Sequence, residues 1–191
     1  MIVGIDSNIV IYAGIVPRKQ SSTVASSEQK KLSRQAKILL HDFRDERVIL
    51  PMVAVAEILV PVPKAKHGLL IAHLKENFVC AEFGDRAASI AADLFAQAKN
   101  IAADQTYENR HVIRADIKII ASAKAAGATT FYTNDDDCRA IANLIMTAKP
   151  LPTHSEELFI DEMLTEGLEE RPKGTTRSKP TKKATRKRRG K

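Results

Sequence analysis

Short β-branched, apolar runs recur along this chain, and each is followed by a segment whose apolar residues fall at helical spacing. MIVGI (1–5), RVIL (47–50), FVCAEF (78–83) and ATTFYT (128–133) are the runs. Their length and composition suit buried strands. After the first come Asp6, Ser7 and Asn8, any of which can cap the helix begun by IVIYAGI. Leu32, Ala36, Leu39, Leu40 and Phe43 mark a second helix, and Pro51 opens a third that runs through Val60, at a position proline tolerates. Residues 64–76, roughly 86–103, Val112–Ala126 and 137–148 complete the helical segments, with Gly127 as a stop signal. Residues 17–33, rich in Ser, Lys and Gln, read as a loop, and KPLPT (149–153) as a short edge-like segment. Strands alternating with helices imply an α/β fold: a mostly parallel sheet covered by helices on both faces. Ligand sites in such sheets lie outside the carboxyl ends of the strands. Asp6 and Asn134-Asp135 both fall there.

A chain of 191 residues suits one well-packed domain. The net charge of +7 is unevenly distributed. Eleven of the thirty Lys and Arg lie after Glu170, where there is no acid, which leaves nineteen basic against twenty-three acidic residues in the body, a net of −4. The high isoelectric point therefore belongs to the C-terminal tail alone. Cys80 and Cys138 are far apart and in no ligand pattern, which suits a reducing compartment. The longest apolar stretch, Val48–Pro63, carries Glu57 and three prolines and is no membrane span. No signal peptide is visible, and the expected location is the cytoplasm.

Four acids stand out by position. Asp116 shares its helical face with Val112, Ile113, Ile119, Ile120 and Ala123. A charge on such a face must be paired, protonated or bound to a cation. A structural salt bridge is the bland alternative, but Arg110, Arg114 and Lys118 form a stripe on roughly the opposite side. Glu57, inside VAVAEILV, is the lone charge of its segment, although the rim of the core would accommodate it. Asp6 serves equally well as a helix cap. Asp135, Asp136 and Asp137 open a helix whose dipole favours acids, and three exceed what capping needs. Collected in one pocket, two carboxylates about 5 Å apart repel by about 3 kcal/mol at an effective dielectric near 20. Four of them require a cation, and an all-oxygen set without His or Cys selects Mg²⁺ or Mn²⁺ over zinc.

The segments IVGIDSNIVIY, LPMVAVAEIL and IRADIKIIASAKAAGATTFYTNDDD, in this order and spacing, resemble the PIN-domain nucleases, and in style the toxin ribonucleases of bacterial toxin–antitoxin pairs. The resemblance spans roughly residues 1–150. It implies a three-layer α/β/α domain over 1–153 around a parallel sheet of four to five strands, and metal-dependent endonucleolytic cutting of RNA. Carried over by position, Asp6, Glu57, Asp116 and Asp135 are the expected catalytic and metal-holding residues. Asn8, Thr133 and Asp137 fall at positions that support such sites. The expected partners are an RNA substrate, an antitoxin protein and a second copy of the chain, with no membrane involved. Where the family often carries a serine or threonine near the Glu-bearing helix, this chain has Met52-Val53-Ala54, and Cys138 takes the place of a common aromatic.

Beyond the domain, residues 154–170 read as an amphipathic helix and 171–191 as a disordered basic tail. Lys182, Lys183, Arg186, Lys187, Arg188 and Arg189 are the candidate phosphate-binding residues of that tail. No aromatic residues interleave them, so base stacking is not expected. A catalytically idle PIN-fold module that binds RNA or DNA through its tail is the alternative reading, though four carboxylates give a phosphate binder no advantage. A dehalogenase-like phosphatase would need an acid at position 8, which is asparagine. A receiver domain would want paired acids after the first strand, and these are absent.

Overall fold

The computed structural model describes residues 1–16, 26–102 and 107–153, without the side chains of 99–111. The chain divides into the units Met1–His154 and Ser155–Lys191, and the described elements all belong to the first. The helix expected at 154–170, the basic tail with its six candidate phosphate-binding residues, and residues 17–25 lie outside the described residues.

β1 (Ile2–Ile5) leads into α1 (Ser7–Ala13) through Asp6, whose carboxylate accepts from the Ser7 N–H as the helix cap. Gly14, at φ 77°, ends α1 in the left-handed conformation that favours glycine. α2 covers Ser27–Asp42 and begins with a capping box: Ser26 Oγ accepts from the Gln29 N–H while the Gln29 side chain accepts from the Ser26 N–H. Residues 27–33, expected as part of a loop over 17–33, belong to α2, because Ser26 and Gln29 provide a helix start that composition alone concealed. β2 (Arg47–Pro51) runs directly into α3 (Met52–Leu59). Pro51 is therefore the last strand residue and the cap of α3, where its missing N–H is no loss, and not the first residue of the helix.

A 3₁₀ turn (Lys64–Lys66) precedes α4 (His67–Asn77), which leads to β3 (Val79–Ala81). Two long helices follow, α5 (Asp85–Ala102) and α6 (Tyr107–Ala125), then β4 (Thr130–Tyr132), α7 (Asp136–Ala142) and β5 (Thr147–Lys149). The helix expected over 137–148 stops at Ala142. The edge segment expected at 149–153 starts earlier, as β5, which pairs with β4 through Thr130–Thr147 and Tyr132–Lys149. No glycine or proline marks this helix-to-strand change; pairing with β4 imposes it.

The five strands are all parallel, in the order β3-β2-β1-β4-β5. Chain order runs outward from β1 in one direction to β3 and resumes on its other side at β4. The topological switch lies between β1 and β4, and in parallel sheets the crevice forms at the carboxyl ends there. Gly4 draws α6 onto this centre: a Cβ at Gly4 would stand 2.8 Å from Phe131 Cδ2 and 2.9 Å from Ala123 Cβ. On α6, Ile113, Ile117, Ile119, Ile120 and Ala123 are buried, but Val112, expected on the same stripe, is 57% exposed. The stripe reaches the surface at its N-terminal end, one turn before Asp116. Among the described residues no helix is long and apolar enough to cross a membrane.

Candidate active site

Asp6 is the best-fixed acid of the switch-point crevice. It follows β1, its N–H donates to Tyr132 O (3.1 Å) on β4, and only 5% of the residue is exposed. Both carboxylate oxygens are engaged. Oδ1 accepts from the Ser7 N–H at 2.6 Å, and Oδ2 accepts from Asn8 Nδ2 at 2.7 Å and Thr133 Oγ1 at 2.9 Å. Burial raises the pKa of Asp6 above the ordinary carboxylate value, and Glu57 adds to the rise. The hydrogen bonds from Thr133 and Ser7 oppose it by favouring the charged form.

Thr133, fully buried just after β4, ties the cluster together. Its hydroxyl donates to Asp6 while its oxygen accepts from Asn8 Nδ2 (3.1 Å) and from the Asp135 N–H (3.1 Å). Asp135 caps α7, with Oδ1 accepting from the Cys138 N–H at 2.9 Å. It remains exposed, as do Asp136 and Asp137. Asp136 pairs with Arg139 at the surface. Cys138 is fully buried behind the cap, and burial followed by the negative fields of Asp6 and Asp116 pushes its thiol far up, away from reactive thiolate.

Asp116 carries the electrostatic signature of the site. It is half-buried, and its pKa is raised to about 7 by burial first, then by the charges of Asp6, Asp135, Glu57 and Asp137. Each neighbour that shifts it is another acid. No ion pair among the described residues neutralises Asp6, Glu57, Asp116 or Asp135. Arg114 and Lys118 are exposed, on the side of α6 expected for them, while the Arg110 side chain lies outside the described residues. Glu57, half-buried on α3, accepts from Ser7 Oγ at 2.7 Å.

The fold thus brings Asp6, Glu57, Asp135 and Asp137 within electrostatic reach of Asp116, with Asn8 and Thr133 bracing Asp6. Ser7 is the site residue that sequence reasoning passed over. Its signal was its place between Asp6 and the helix, where it read only as one of three interchangeable caps. The donor set suits a hard divalent cation, being all oxygen and negatively charged. Among the described residues, no group of three or more Asp, Glu, His or Cys side chains is gathered closely enough to hold a metal ion. Mg²⁺ needs no such group, since it commonly binds through one or two carboxylates and keeps several waters.

Solved structures share this architecture. FitAcB from Neisseria gonorrhoeae matches with a TM-score of 0.50 and 21% sequence identity, over 78% of this chain and 96% of the solved one. VapBC2 from Rickettsia felis, bound to a DNA fragment from their promoter, matches with a TM-score of 0.51 and 15% identity, over 80% of this chain and 100% of the other. No family model and no curated protein sequence matches the chain. At these identities the likeness is one of fold, and the fold is the PIN-like α/β architecture expected from the sequence.

Proposed function

We propose that this chain is a metal-dependent endoribonuclease that hydrolyses RNA phosphodiester bonds in the crevice of Asp6, Glu57, Asp116 and Asp135. The observation that carries the reading is the electrostatic state of Asp116. It is half-buried in the field of Asp6, Asp135, Glu57 and Asp137 beside the switch point of a parallel sheet, and among the described residues no ion pair neutralises Asp6, Glu57, Asp116 or Asp135. Acids crowded together in this way store repulsion that a bound cation relieves. Asp6, Asp116, Asp135 and Glu57 would hold Mg²⁺ or Mn²⁺, which supplies an activated water and neutralises charge developing at phosphorus.

The protein's own groups act by positioning. Thr133 and Asn8 hold Asp6 in one rotamer, so its carboxylate enters the site without a search among orientations. The Cys138 N–H holds Asp135 through Oδ1, at 2.9 Å. Asp116, on a helix anchored by the buried Ile113, Ile117, Ile119 and Ile120, would contribute a carboxylate oxygen to the ion.

The resemblance to toxin ribonucleases adds a partner to the proposal: an antitoxin protein that binds the chain and silences it. The Rickettsia neighbour, described with DNA from "their promoter", supports a paired system. Co-expression with the product of a small adjacent gene, followed by copurification and loss of cutting, would establish the pair.

Cleavage of a mixed RNA and of single-stranded DNA of matched length, with Mg²⁺, Mn²⁺ or EDTA, tests the activity. RNA cutting that depends on either ion, stops in EDTA and falls at least a hundredfold in Asp6→Asn and Asp116→Asn is expected. Equal cutting by wild type and both variants would sink the assignment.

A further inference from the structure

Glu57 is secured from outside its own helix. Asp6 and Asp135 each cap the helix they begin, and Asp116 rides on a buried stripe. Glu57 projects from α3, and among the described residues one hydrogen bond reaches its carboxylate: Ser7 Oγ to Oε2, at 2.7 Å. Ser7 opens α1, is 8% exposed, and is 50 residues away in sequence. Its backbone N–H meanwhile donates to Asp6 Oδ1 at 2.6 Å. Its hydroxyl also stands 3.3 Å from Asp6 Oδ1, but a serine has a single hydroxyl proton, and the 2.7 Å contact is the better-formed bond. Ser7 therefore serves Asp6 with its backbone and Glu57 with its side chain.

We infer that Ser7 is a positioning residue for the metal site, whose hydroxyl holds Glu57 in register with Asp6. The fold explains why this task falls to position 7. β1 and β2 are neighbours in the sheet, so the helices leaving their carboxyl ends, α1 and α3, emerge side by side. A short hydroxyl on the first residue of α1 spans the gap between them. Without it, Glu57 keeps its freedom of rotation and must lose it when an ion binds, which lowers affinity. Alanine leaves Asp6 capped, since the backbone donor is unchanged. Threonine keeps the donor.

The inference rests on the metal-dependent reading, and Mn²⁺ binding measured by electron paramagnetic resonance of the free ion separates the two. Expected are a five- to tenfold weaker Mn²⁺ affinity for Ser7→Ala, near wild-type affinity for Ser7→Thr, and a Ser7→Ala/Glu57→Ala double variant no weaker than Glu57→Ala alone. That non-additivity is the mark of one residue acting through the other. Circular dichroism establishes that each variant is folded. If Ser7→Ala is not, Ser7→Cys, nearly isosteric and a weak donor, takes its place with the same expected loss. Wild-type affinity in Ser7→Ala, or losses that add in the double variant, would overturn the role of Ser7 and leave the metal reading standing. A wild-type chain that binds no Mn²⁺ would overturn both.

Discussion

The hydroxyl of Thr133 donates to Asp6 Oδ2 at 2.9 Å across 127 residues of sequence, and through this bond the end of β4 holds the acid at the end of β1. The threonine oxygen also accepts from Asn8 and from the Asp135 N–H, so one buried side chain joins the two sides of the topological switch. Removing one member of such a network leaves its buried partners unsatisfied, which costs more than the bond itself contributes.

Thr133→Val, which keeps the shape and removes the hydroxyl, is accordingly expected to destabilise the fold by about 1–3 kcal/mol. RNA cutting should fall about 10- to 100-fold, the usual effect of losing a group that orients a metal ligand. Thr133→Ser should restore most of both. Chemical denaturation and initial cleavage rates provide the measurements, and a Thr133→Val chain with wild-type values in each would refute the bracing role.

The raised pKa of Asp116 makes a statement about stability. Its folded-state value, about 7, stands above the ordinary value of 3.8, so between those values the folded chain holds a proton that the unfolded chain has lost. Stability measured without divalent ions should therefore be greatest near the lower limit of this window and decline as pH rises through about 7, by on the order of 2 kcal/mol given the partial exposure of the group. Asp6 shifts in the same direction. Asp116→Asn should flatten the decline and stabilise the ion-free chain at pH 8, while Mg²⁺ or Mn²⁺ should raise the melting temperature of wild type most above pH 7. Thermal melts at pH 5, 6.5 and 8, with and without ion, check each part; a wild-type chain that gains stability on going from pH 5 to 8 in EDTA would contradict it.

Gly4→Ala should be among the more damaging single-methyl additions in the core. The added Cβ meets Phe131 and Ala123 below 3.0 Å, and both belong to elements that carry the site. A loss of about 1–3 kcal/mol is expected from overpacking. Because α6 must shift to admit the methyl, cutting should fall further than stability accounts for. A folded Gly4→Ala chain with normal melting and normal cutting would show that α6 accommodates it freely.

For the tail, the expectation follows from charge alone. Deleting residues 171–191 removes eleven basic residues and should weaken RNA binding at low salt while metal-dependent cutting persists. Each phosphate that the tail no longer neutralises should flatten the plot of log affinity against log salt by about 0.7 for a single strand. Filter binding across a salt series measures this, and unchanged affinity at low salt would remove the tail from the interface.

Much of this protein was legible in its sequence because local rules and global fold agree there. Short β-branched runs alternating with helical spacing determined a parallel α/β sheet, since those periods bury apolar side chains in only one kind of layering. Asp116 on an apolar face stood out in the sequence, and the structure places it half-buried in the field of other acids, because burying a charge is costly unless something compensates it. Where the sequence misled, the deciding interaction was non-local. Residues 147–149 became a strand by pairing with β4, and Val112 is exposed because its stripe ends at the surface. The tertiary structure alone decided that the charges of Asp6, Glu57 and Asp135 reach Asp116, around the reversal of strand order between β1 and β4. It alone also decided that Ser7, one of three equivalent caps in the sequence, reaches Glu57: the serine hydroxyl and the glutamate meet only because β1 and β2 lie side by side.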